Sequence, residues 1–268
     1  MENLNPNIDP SKLGACILEY ADTDAGKTMS ALTLEDPICF INTQAKDPRV
    51  NHLQIKHNKT IYYFKVKPGD SFDDIMNDLN RWLIDFRDGK KPWKSLFFDD
   101  LTFGQSNIRH DVEDDRHSAR ELDDEKRTEA RGLTDRFRFE KPDWGSIGSM
   151  MSRLTFLLNQ FSQYGVVVVA TAVARHDYPK YGGGVKTAPS LVGMDYSQLL
   201  HGFFDFIGYN TEPFSIDSGM NPIIPRISFH SEDQSFMARC NSLNLLKMNK
   251  FRPAPLDFGK IMKVVRGL

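Results

Sequence analysis

Residues 19–32 read "EYADTDAGKTMSAL", and the fold turns on whether the Gly26-Lys27-Thr28 inside it closes a phosphate-binding loop. A triphosphate needs backbone amides that fold around its oxygens, the positive end of a helix, a lysine for the outer phosphates and a hydroxyl for a divalent cation. The spacing puts Gly26 where the chain turns into a helix, Lys27 at the β and γ phosphates and Thr28 on magnesium. Ala21, Asp22, Thr23, Asp24, Ala25 and Met29 complete the expected cradle for ATP and Mg2+. Two features depart from such a loop. Ala21 stands where the first glycine belongs, which is tolerated at negative φ and strained at positive φ. Asp22 and Asp24 bring two carboxylates to an anion site, so they are expected to point outward and to reduce affinity.

The flanks favour the loop. "LGACILEY" (13–20) is an apolar run of strand formers and "MSALTL" (29–34) reads as the first turns of a helix, so the loop joins a strand to a helix. Further along, "SLFFDD" (95–100) reads as a buried strand ending in acid, which suits a carboxylate that holds magnesium through water. That role falls to Asp99. A strand-end turn or a helix cap is the alternative for Asp99 and Asp100.

The rest of the chain alternates strands and helices, the pattern of a mainly parallel α/β sheet. "PICFINT" (37–43) and "TIYYFKVK" (60–67) are strand candidates. In "SFDDIMNDLNRWLIDF" (71–86), Ile75, Leu79, Trp82, Leu83 and Phe86 share one helical stripe behind Ser71 as N-cap and Asp74 in the first turn. Residues 109–141 alternate acids and bases with few apolar side chains, as expected of a solvated helix or mobile excursion, or else a partner-binding arm. Met150, Met151, Leu154, Leu157, Leu158 and Phe161 then mark a core-facing helix. "GVVVVATAV" (165–173) is the run expected of a central parallel strand covered on both faces. "GFFDFIGYN" (202–210) reads as another strand, and "PRISFHSE" with "SFMARCN" as a hairpin turning at 232–234.

The chain has 268 residues, enough for one main α/β domain with insertions. Its expected division is a tail at 1–12, a core at 13–245 with a charged insertion at about 105–142, and a basic tail at 246–268. A net charge of −2 argues against coating nucleic acid non-specifically, which relies on a basic excess, so any such contact needs a local patch. The three cysteines, Cys16, Cys39 and Cys240, have no metal spacing and read as reduced thiols. No apolar run resembles a secretory signal or membrane span, so a cytoplasmic location, that of a host cell if phage-encoded, is expected.

"AGKT", "ICFINTQAKDPR", "SLFFDDLT", "DWGSIGSMMSRLTFLLNQF", "VVVVATAV" and "PSLVGMDYSQLLHGFFDFIGYN" follow one another in an order that resembles phage-type RecA-like P-loop ATPases, the group that acts with single-stranded DNA in recombination and annealing. The resemblance spans about residues 13–210. It implies a RecA-like core, binding of ATP and magnesium, a homo-oligomer, and single-stranded DNA as partner; whether a single-strand-binding protein is a further partner, the sequence leaves open. It also implies a glutamate after the second strand to activate water, where this chain has Gln44. An amide cannot take a proton, but it can position water. Slow hydrolysis is therefore expected, with Lys27 on the phosphates and either Gln44 as positioner or Asp100 as substitute base. Thr171, at the end of the long strand, takes the place of a γ-phosphate sensor, with Val173 where a histidine is more natural.

The same resemblance places a DNA-contacting segment just after that strand, where "RHDYPKYGGGVKTAP" (175–189) offers Arg175, Lys180, Tyr181 and Lys186. Cations follow phosphates and tyrosines stack on bases. Arg175 alternatively serves a γ-phosphate, a neighbouring subunit or plain solvent. Lys247, Lys250, Arg252, Lys260, Lys263 and Arg266 form a second basic cluster that suits DNA, a subunit contact or an amphipathic tail equally. The other readings of the loop are an oligomeric protein whose ATP is structural, with little turnover, and a small-molecule kinase, for which no substrate lid is evident.

Overall fold

The computed structural model describes residues 9, 12–44, 57–67, 70–124, 141–176, 187–191, 200–212, 215–216, 222–223, 225–232, 235–249 and 253–268. The apolar run at the start is β1 (Ala15–Ala21), buried at every position. The loop after it leads into α1 (Lys27–Ser30), a tighter turn at Ala31–Thr33, and then β2 (Ile38–Asn42) and β3 (Ile61–Lys65). Three helices alternate with strands beyond: α2 (Phe72–Arg87), β4 (Ser95–Asp99), α3 (Leu101–Asp124), α4 (Lys141–Gln163) and β5 (Val167–His176). The remainder comprises β6 (Thr187–Pro189), β7 (Phe206–Glu212), the small pair β8 (Ser215–Ile216) and β9 (Pro222–Ile223), β10 (Arg226–Ser228), β11 (Arg239–Cys240), α5 (Leu243–Asn249), β12 (Ala254–Pro255) and α6 (Phe258–Arg266).

Six strands run parallel in the order β7-β1-β5-β4-β2-β3. The β-branched run of β5 therefore lies at the centre, paired with β1 on one side and β4 on the other. Its apolar residues face both ways because both faces of the sheet are covered. Cys16, Leu18 and Tyr20 of β1 enter one core with α2, α3 and α4, while Ala15 and Ile17 enter the other with Ala31, Leu34 and α6. The first crossover, β1 to β2, thus passes over one face, and those through α2 and α4 return over the other. Such a reversal opens a crevice at the carboxyl ends of the strands, where doubly wound sheets bind ligands.

α2 forms as its local signals dictate: Ser71 Oγ accepts from Asp74 N at 3.1 Å and Asp74 Oδ2 accepts from Ser71 N at 3.1 Å, a closed capping box. Its buried side includes Leu79 and Trp82, joined by Phe72 and Met76, while Ile75, Leu83 and Phe86 pack partly buried beside them. In α4, Ile147, Met151, Leu154, Leu157, Leu158 and Phe161 are buried and Met150 lies at the edge of the same core. The end of α4 presses on the start of β1: a Cβ built on Gly14 would lie 2.1 Å from the Ser162 carbonyl oxygen. The charged stretch is helical through Asp124.

The sequence suggested that residues 225–241 form a hairpin. Instead β10 and β11 both pair antiparallel with β7, end to end along its outer edge, at Tyr209–Glu212 and Phe206–Ile207 respectively. Seven residues of β7 supply room for both short strands, and each satisfies its backbone there rather than with the other. The basic closing segment contributes Ala254, Leu256, Phe258, Ile261 and Met262 to the second core.

Candidate functional site

The phosphate loop lies at the carboxyl end of β1, where the crevice opens. Ala21 ends β1 in register with Val173 and keeps an extended, negative-φ backbone, so its methyl group is accommodated without strain. The left-handed positions fall later, on Asp24 (φ 63°) and Gly26 (φ 90°). Gly26 is the N-cap of α1, where a side chain would be strained, and aspartate is among the few side-chain residues that visit this region readily. Asp22, Thr23 and Asp24 are exposed and Ala25 is buried, so the two acids do turn outward. Met29 is 46% exposed. Lys27 is folded back, its Nζ donating to the Ala21 and Asp22 carbonyls at 3.0 and 2.8 Å. A phosphate that replaces these neutral acceptors offers shorter, charge-assisted bonds.

Three of the predicted residues meet on the carboxylate of a fourth, Asp99. Thr28 Oγ1 donates to Asp99 Oδ2 at 2.7 Å, while Thr171 Oγ1 and Gln44 Nε2 donate to Asp99 Oδ1 at 2.8 and 3.0 Å. Burial pushes the Asp99 carboxyl above the usual range, against these hydrogen bonds and the Lys27 charge, which hold it down. Gln44 is aimed by its neighbours: its N–H donates to Asn42 Oδ1 at 2.8 Å, and Asn42 Nδ2 donates to the Tyr63 hydroxyl at 2.9 Å. Thr171 lies on β5, between β1, which leads into the phosphate loop, and β4, which ends in Asp99.

Asp100 follows Asp99 and caps α3, its Oδ1 accepting from Phe103 N at 2.9 Å. Its Oδ2 is buried with no hydrogen-bond partner among the described residues. Burial pushes this carboxyl up to about 7, the Asp99 charge adding to the rise and the Phe103 amide opposing it. Thr43 fixes the backbone here, its Oγ1 accepting from Asp100 N at 2.9 Å.

The described residues contain no group of three or more His, Cys, Asp or Glu that could hold a metal ion. One hydroxyl and one carboxylate nevertheless suit magnesium, which keeps several waters and is bound through one or two carboxylates plus substrate phosphates. Thr28 and Asp99 are the residues that would hold it. A cleft of about 670 Å³ elsewhere, between α3 and α4 at Val112, Pro142, Ser146 and Met150, includes no residue of the phosphate loop.

Arg175 is exposed on the outer stretch of β5, opposite Ala188 of β6. Lys180, Tyr181 and Lys186 lie outside the described residues, as do Lys250 and Arg252. In the C-terminal cluster Arg266 is engaged within the fold, donating to the Leu13 carbonyl at 2.9 and 3.1 Å beside Glu35. Two features escaped the sequence reading. His176 Nε2 lies 2.6 Å from Asp22 Oδ1, tying the phosphate loop to the end of β5. Glu19, fully buried in β1, accepts from Ser30 Oγ at 2.6 Å and from Asn210 Nδ2 at 2.8 Å. An acid inside an otherwise apolar strand was the signal available for it.

No helix among the described residues is long and apolar enough to cross a membrane. Among curated proteins no sequence matches this chain. Among solved structures, a prototypical ATPase from the type III secretion system of pathogenic bacteria is similar at 13% identity and a TM-score of 0.40, over 74% of this chain and 51% of that one. This chain thus matches about half the length of that ATPase, and the family assignment does not rest on it. The sequence model of the AAA domain matches residues 13–230, from the start of β1 past β10, and so takes in every residue of the cluster around Asp99. The chain therefore belongs to the AAA domain family.

Proposed function

We propose that this chain binds ATP with magnesium at the Asp99 cluster, hydrolyses it slowly, and acts as a RecA-like protein of phage recombination type that assembles with copies of itself on single-stranded DNA. The observation that carries the nucleotide site is the convergence of Thr28, Gln44 and Thr171 on Asp99, beside a lysine held by its own loop. Lys27 would leave the loop carbonyls for the outer phosphates. Thr28 and Asp99 would hold magnesium, which supplies charge neutralisation at the transferred phosphoryl group. Gln44 orients the attacking water through its amide. The proton goes to Asp100, which neighbours Asp99 and whose buried Oδ2 has no hydrogen-bond donor among the described residues.

The DNA and assembly parts of this reading rest on the sequence resemblance and on the basic, aromatic stretch 175–189. A single-strand-binding protein is the further partner it suggests. Gln44 favours a second reading, in which ATP is structural and holds an oligomer without useful turnover, because the position offers an amide where a base belongs. Calorimetry of ATP binding with and without magnesium, for the parent and Lys27→Ala, tests the site. Binding by the parent and its loss in the variant are expected; no binding by the parent refutes both readings. Turnover that rises on adding single-stranded DNA supports the first reading, and tight binding without turnover the second.

A further inference from the structure

Glu19 is a carboxylate with no access to solvent, yet it is bonded to the helix that carries Lys27 and Thr28. Its Oε2 accepts from Ser30, on the helix that begins with Lys27 and Thr28, and its Oε1 accepts from Asn210 of β7. One side chain thus ties α1 to two strands of the sheet. The charged groups that act on it are Lys27 from α1, which favours the anion, and Asp99 from β4, which opposes it. Its register partners on β5 and β7, Thr171 and Gly208, carry no charge, and Ala31 and Ile227 of the adjacent core are apolar. Burial pushes the carboxyl up to about 7, against the hydrogen bonds from Ser30 and Asn210. A second observation concerns Asn210: its Oδ1 is buried and has no hydrogen-bond partner among the described residues.

We propose that Glu19 is a positioning residue of the phosphate loop whose ionised form takes up a proton from solvent when a triphosphate binds. This rests on the nucleotide site proposed above. A bound triphosphate brings several negative charges to Lys27 and offsets the part that this lysine plays, after the Ser30 and Asn210 hydrogen bonds, in favouring the anion, and a like charge nearby favours the neutral acid. The proton goes onto Oε1; no other bond is made or broken, and the net charge of the site rises by one. Asn210 serves both states. As found, its amide N–H donates to the carboxylate; turned over, its Oδ1 accepts from the acid. Ser30 keeps its bond to Oε2 throughout, so α1 stays anchored while the charge beneath it is removed.

The test is calorimetry of Mg-ATP binding to the full chain at pH 7.5 in buffers of low and high ionisation enthalpy, which counts protons. Because Glu19 titrates close to the working pH, a further rise in its proton affinity on binding makes the parent take up a measurable fraction of a proton more than Glu19→Gln, which cannot titrate. Proton exchange by ATP, magnesium and the other acids is common to both and cancels in the comparison. Ser30→Ala removes a donor that favours the anion, so Glu19 is already more protonated before binding and uptake falls to roughly half the parent value or below. Equal proton counts in the parent and Glu19→Gln, or in the parent and Ser30→Ala, overturn the proposal, since a merely structural glutamate would change affinity alone. A parent that binds no Mg-ATP instead overturns the site itself.

Discussion

Replacing Glu19 by glutamine should stabilise the free protein at alkaline pH and leave it unchanged at acid pH. The carboxyl rises from an ordinary value of 4.5 to about 7 on folding because burial penalises its charge. The folded state therefore holds this proton more tightly than the unfolded state does. Stability from this group is fully present below about 4.5, falls as pH rises through 7, and is level above that. The whole loss amounts to about 3 kcal/mol, at 1.36 kcal/mol for each tenfold change in proton affinity. Glutamine keeps the shape and both polar ends but carries no charge to bury. Urea titrations followed by the fluorescence of Trp82, Trp93 and Trp144 at several pH values would show it. At pH 4 the two proteins should unfold within about 0.5 kcal/mol of each other, at pH 5 the variant should already lead by about 0.8 kcal/mol, and at pH 8 by about 3 kcal/mol. Other titrating groups are shared and drop out of the difference. A gap that stays constant from pH 5 to 8, or a variant less stable than the parent at pH 8, would refute the assignment of the strain to Glu19.

Gly14→Ala should destabilise the fold by about 3 kcal/mol, because its Cβ meets the backbone oxygens of Ser162 and Val166 at 2.1 and 2.6 Å, neither of which can rotate away; a lowered urea midpoint at unchanged slope is the readout. Asp99→Asn should weaken nucleotide binding roughly 10–100-fold in magnesium and far less without it, as read by calorimetry. Asp100→Asn should bind nucleotide as the parent does yet hydrolyse it about 100-fold more slowly, and phosphate release measured at saturating ATP would decide it.

What the sequence made legible was local. α2 announced itself through Ser71, Asp74 and a 3.6-residue stripe, all within one segment. Lys27, Thr28 and Asp99 were legible because a short motif fixes their chemistry, although only the fold shows them in contact with Gln44 and Thr171. The strain at Ala21 could not be judged from residue type, since it depends on a φ that β1 holds extended and that the loop passes on to Asp24. β10 and β11 looked like a hairpin because neighbours in sequence usually pair; the edge of β7 outcompeted that local choice. Glu19 was visible as an anomaly but not as a device, because its partners stand 11 and 191 residues away.

β5 runs unbroken from Val167 to His176. Thr171, in its middle, holds Asp99 from below, and Arg175 and His176 occupy its tip. About 13 Å of extended backbone joins the two, and His176 reaches from that tip to Asp22 in the loop above. One continuous strand thus bonds at its middle to the Asp99 carboxylate and at its end to the phosphate loop. A ligand that binds at that tip therefore sits one unbroken strand away from both the carboxylate and the loop.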